Sequence, residues 1–85
     1  MDSTKDIYGF TVKYDSSSES VKHALHFFEE LGESGTRALF DEARRDNTNH
    51  TNHFKVHSHT SNNEYHLTIV HKGDGTYHLR KTTGY

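Results

Sequence analysis

The sequence predicts an α+β domain in the order strand, helix, helix, strand, strand, strand, with two helices packed on one face of an antiparallel sheet. Three patterns point to it: strict alternation over residues 7 to 14, apolar residues spaced by three and four from Val21 to Leu31, and three more alternating runs between residues 53 and 82.

In IYGFTVKY the alternation puts Tyr8, Phe10, Val12 and Tyr14 on one face of a strand. The polar run Asp15-Ser16-Ser17-Ser18 follows, and Ser17 or Ser18 is the expected N-cap of a helix from about residue 18 to 32 that carries the stripe Val21, Ala24, Leu25, Phe28, Leu31. Gly32-Glu33-Ser34-Gly35 breaks it. A shorter helix is expected from about residue 36 to 45, with Leu39, Phe40 and Ala43 apolar and Arg44-Arg45 in the last turn, where cations suit the helix dipole. After a loop at residues 46 to 49 come HFKVHSH, YHLTIVH and TYHLRKT, three short strands. A three-residue loop at Gly73-Asp74-Gly75 pairs Ile69 with Leu79 and His71 with Tyr77. A turn at residues 60 to 63 sets Val56 against Leu67 and Phe54 against Ile69.

Composition bounds the rest. With 85 residues, 29% of them hydrophobic, one small domain spanning 1–85 is expected. No cysteine is present, which excludes disulfides, thiolate metal sites and a cysteine nucleophile, so His, Asp and Glu are the remaining metal ligands. No apolar run reaches the roughly 18–20 residues that span a bilayer, and MDSTKDIYGF has neither a basic nor an apolar leader region. A soluble, cytoplasmic protein without membrane contact is the expectation. The net charge of −2 is unevenly divided. Residues 1 to 46 hold six Lys/Arg against ten Asp/Glu, or −4, and residues 47 to 85 hold four against two, or +2. Seven of the nine histidines lie in that basic half.

These registers place a polar face opposite the helices. Its predicted rows are His57 with His66 and Thr82, Lys55 with Thr68 and Arg80, and His53 with Val70 and His78. Cleavage of RNA without a metal needs a base for the 2′-hydroxyl, an acid for the leaving oxygen and cations for the phosphorane charge. On this face His57 and His66 are the expected acid/base pair, Arg80 and Lys55 the phosphate stabilisers and Thr68 a hydrogen-bond donor. His53, His78, Tyr77 and Tyr85 are candidates for stacking or phosphate contact. Outward strand positions are polar in any soluble domain. What favours a functional face is how often His replaces Ser, Glu and Gln.

The expected element order resembles that of the RelE and barnase-type small ribonuclease toxins, in which an N-terminal strand and helices precede an antiparallel sheet carrying the catalytic side chains. The resemblance spans the whole chain, is architectural, and carries onto His57, His66, Arg80, Lys55 and Thr68. It implies an RNA substrate, no cofactor and a cognate inhibitor protein. Two other readings stand beside it. The chain could act without chemistry, as an inhibitor, immunity or phage-encoded regulatory factor docking through the acidic helical residues Glu29, Glu30 and Glu42. Alternatively His57 and His59, an HxH on one strand face, could join His66 in a zinc site. Surplus aromatics at Phe27, Phe28 and Phe40 raise the expectation of one exposed ring and a homodimer contact.

Overall fold

The computed structural model describes residues 2–58 and 62–82. The chain runs through β1 (Asp2–Ile7), β2 (Phe10–Asp15), α1 (Glu19–Arg45), β3 (Thr51–His57), β4 (Glu64–Gly73) and β5 (Thr76–Lys81). The strands form one five-stranded sheet in the order β1-β2-β5-β4-β3. The expected pair of helices on an antiparallel sheet therefore gives way to one helical element on a mixed sheet, in which β2 and β5 run parallel.

The N-terminal correction comes from a tight turn. Residues 7 to 14 are not one strand, because Tyr8 and Gly9 both take positive φ, 49° and 92°, and fold β1 back on β2 with Ile7 opposite Phe10. Two consecutive positive-φ residues match the twist of the flanking strands. The Gly9 N–H donates to Asp6 Oδ1 at 3.1 Å, and an Arg37 guanidinium N–H donates to the Tyr8 carbonyl at 3.0 Å. This hairpin reverses the chain once more than expected before α1. The later meander then returns β5 beside β2 in the same direction.

Ser18 caps α1, its hydroxyl accepting from the Val21 N–H. The expected break falls at Gly32, whose φ of 84° and ψ of 177° are non-helical, yet α1 continues across it to Arg45. Interrupting a helix frees carbonyls, and the buried Thr36 hydroxyl donates to that of Phe28 at 3.1 Å. Only glycine adopts the Gly32 backbone cheaply. Gly32→Ala should therefore cost about 1–3 kcal/mol in chemical denaturation, although the added Cβ meets nothing within 4 Å beyond its chain neighbours and the helix's own backbone. An unchanged midpoint would show that the backbone there is not held.

The core lies between α1 and the sheet face bearing Val12, Phe54, Val56, Leu67, Ile69, Tyr77 and Leu79. Phe40 stacks on Phe10 at 5.0 Å and meets Phe28 and Tyr77 edge-on at 5.4 and 5.0 Å. Phe28 and Phe40 are fully buried and Phe27 is half-buried against the core, so none of these three rings is exposed, whereas Tyr8 in the first turn is 36% exposed. Tyr77, a stacking candidate, is likewise a core residue, and burial pushes its phenol pKa up. No helix among the described residues is long and apolar enough to cross a membrane.

The turn between α1 and β3 is organised by Asp46. Its carboxylate accepts from the backbone N–H groups of Thr51, Asn49 and Thr48, and these bonds lower its pKa below the ordinary carboxylate value. Asp15 is held well below the usual range by the Ser17 hydroxyl and N–H. Both depressed acids stabilise the fold above the unfolded carboxylate pKa, and that contribution is lost as pH falls through their folded values. Asp46→Asn should lower stability at neutral pH and flatten its decline into acid. Equal denaturation midpoints for the two proteins at pH 7 would refute this role.

Candidate functional site

Alternation fixes the composition of the face that α1 leaves open. β3 presents Thr51, His53, Lys55 and His57, β4 presents Glu64, His66, Thr68 and Val70, and β5 presents His78 and Arg80, with Thr82 just beyond. All five residues expected to be catalytic lie on this face with His53 and His78. Tyr85 and His59 lie outside the described residues.

The rows differ from expectation. Between β4 and β5 the expected pairs hold, Ile69 with Leu79 and His71 with Tyr77. Between β3 and β4 the register is displaced by two residues, with Phe54 opposite Leu67 and Val56 opposite Tyr65. A two-residue displacement keeps every side chain on its face and changes its partners. The rows are thus His57 with Glu64, Lys55 with His66, and His53 with Thr68 and Arg80. Thr82 donates its N–H to the His66 carbonyl at 2.8 Å and extends the middle row.

Two clusters result. In the first, one carboxylate meets three cation-capable side chains: Glu64 Oε1 lies 3.1 Å from His66 Nε2 and 4.0 Å from Lys55 Nζ, and Oε2 lies 3.5 Å from His57 Nε2. In the second, His53 Nδ1 is 2.8 Å from Thr68 Oγ1, which is 2.7 Å from Thr82 Oγ1. Thr68 is 1% exposed, so its hydroxyl orients the more exposed His53 ring and does not itself reach solvent. Glu64 is absent from the rows expected on this face. Its position two residues before His66 was the available signal, because i and i+2 share a strand face.

The surface over these clusters is shallow and continuous. His53, Phe54, Lys55, His66 and Thr82 line one open depression of about 400 Å³. A second, of about 380 Å³, includes His53, Lys72, His78 and Arg80. His53 belongs to both and joins them into one track of nitrogen-bearing side chains. Among the described residues no group of three or more His, Asp or Glu is arranged to hold a metal ion, so His57, Glu64 and His66 form a hydrogen-bonding cluster without metal-ligand geometry. His23, outside this face, stacks on Tyr65 with ring centroids 4.4 Å apart and serves packing. No family model matches the chain, and neither the curated proteins nor the solved structures yield a match to it.

Proposed function

We propose that the open face of β3, β4 and β5 binds RNA through its phosphates and cleaves it by metal-independent transesterification. The protein is then a small toxin-like ribonuclease that needs no cofactor. The observation that supports this reading most directly is the seat around Glu64, where an anion is already held by Lys55, His57 and His66. A phosphate displacing that carboxylate meets the same three groups. Arg80, His53 and His78 continue the contact along the track.

In the reaction, one of His57 and His66 is neutral and takes the proton of the 2′-hydroxyl as its oxygen attacks phosphorus. The other is protonated and gives its proton to the departing 5′-oxygen. The products are a 2′,3′-cyclic phosphate and a free 5′-hydroxyl. Lys55 and Arg80 offset the charge that builds on the phosphorane. The reading rests on this face and not on element order. An RNA substrate makes the cytoplasm the compartment of action and implies a cognate inhibitor to protect the host's own RNA.

The test is incubation of purified protein with total RNA and with tRNA, with and without EDTA, resolved on a denaturing gel beside His57→Ala. Cleavage that survives EDTA and disappears in the variant supports the proposal. Intact RNA in every lane overturns it. The exposed acids Glu29, Glu30 and Glu42 would then be the surface to probe for a protein partner.

A further inference from the structure

We propose that β3 of one copy of this chain adds to β1 of a second copy, edge to edge, and that successive copies extend one continuous sheet. In the order β1-β2-β5-β4-β3 the two outer strands each keep one side without a neighbour among the described residues. Such sides offer rows of backbone N–H and C=O groups.

The backbone pattern shows which residues offer them. The Ser58 N–H donates to the Asn63 carbonyl and the His71 N–H to the His50 carbonyl, so even-numbered β3 positions bond inward to β4. The outward groups then belong to His53, Lys55 and His57, the Thr51 N–H being bonded to the Asp46 carboxylate. In the first hairpin the tight turn makes Ile7 and Phe10 a bonded pair, so Ile7, Lys5 and Ser3 bond inward to β2. Asp6, Thr4 and Asp2 face outward. On both edges the outward groups belong to residues whose side chains lie on the open face.

Strand direction fits as well. β1 is antiparallel to β2, β2 parallel to β5, and β5 and β3 are each antiparallel to β4. β3 and β1 therefore run in opposite senses. A second copy displaced sideways along the sheet brings its β1 antiparallel to β3, with both helices on the same side.

Charge selects this pairing over the alternatives. Asp2 and Asp6 are exposed on one edge, and His53, Lys55 and His57 on the other. In the register that sets His53 against Asp6, Lys55 against Thr4 and His57 against Asp2, opposite charges face each other when the imidazoles are protonated. Joining two β3 edges would set cation-capable side chains such as His53 and Lys55 against one another, and joining two β1 edges would oppose carboxylates. Like charges directly opposite destabilise a strand pair. A head-to-tail interface of this kind does not close after two copies.

The test is sedimentation velocity over a concentration series up to about 1 mM, near the weak limit of specific association. The wild-type chain should sediment faster as concentration rises, and less so in high salt. Thr4→Pro and Lys55→Pro each remove one outward N–H, a position where an edge strand tolerates proline. Each variant alone should stay monomeric, and an equimolar mixture should form a dimer and nothing larger. Asp2→Lys/Asp6→Lys tests the charge pairing without proline and should also stay monomeric alone, and circular dichroism confirms that each variant is folded. A wild-type monomer throughout, dimers of Thr4→Pro alone, or no dimer in the mixture of the two proline variants would overturn the proposal.

Discussion

Phe40→Ala is expected to cost about 3–5 kcal/mol, the range for emptying a buried phenylalanine site. Phe40 is 0% exposed and joins parts of the chain that are distant in sequence: Phe10 of β2, Phe28 from the other side of the Gly32 break in α1, and Tyr77 of β5. The sheet face and both arms of α1 therefore lose packing together. A chain this short has a total stability of roughly 4–13 kcal/mol, and each kcal/mol moves Tm by about 4–8 °C. The variant should melt at least ~12 °C lower, or fail to fold at 25 °C. Phe40→Leu refills most of the space and should recover most of the loss. A loss below about 1 kcal/mol for Phe40→Ala would mean that the aromatic cluster does not tie these elements together.

The sequence reveals this core more clearly than the topology around it. Val12, Phe28, Leu67, Ile69 and Leu79 stand out through periodicity, and all are buried. β1 is obscure because DSTKDI carries one apolar residue, Ile7, and an edge strand of that composition looks like a polar leader. The turn that creates β1 places Tyr8 at positive φ, a conformation that no composition rule assigns to tyrosine, and Gly9 within the alternation was the local sign. The register of β3 is ambiguous for a different reason. Tyr65, Leu67 and Ile69 occupy successive inward positions on β4, so sliding β3 by two residues still sets apolar groups against Phe54 and Val56. The second hairpin escapes this ambiguity. Asp74 and Gly75 both take positive φ and form its turn, and an irregularity between His71 and Gly73 absorbs the extra residue, so the expected pairs are kept. The open face survived the displacement of β3 because the displacement was even. Its row partners did not, and the Glu64 seat follows from the corrected rows.

That seat makes the second large expectation specific. His66→Ala should lower RNA cleavage about 10²–10⁴-fold, the usual contribution of a positioned acid or base, while leaving the fold intact, because the ring is on the open face and outside the core cluster. His57→Ala should act similarly, and the double variant should lose little more than either single one, since the two imidazoles serve one concerted proton transfer. Glu64→Gln separates positioning from chemistry. It keeps the side chain's length and removes the charge that occupies the seat of Lys55, His57 and His66. Lys55 and His57 are largely solvent-exposed and Glu64 and His66 partly so, so the cost in stability should stay within about 1 kcal/mol. RNA should bind several-fold more tightly at low salt, because phosphate no longer displaces a carboxylate, and cleavage should persist. The decisive comparison is binding against rate, read by filter binding and single-turnover cleavage on the same RNA. Tighter binding with retained cleavage identifies Glu64 as the group that phosphate replaces. Loss of cleavage in Glu64→Gln would make the carboxylate the proton acceptor and exclude the two-histidine assignment. Unchanged binding would show that phosphate does not enter this seat.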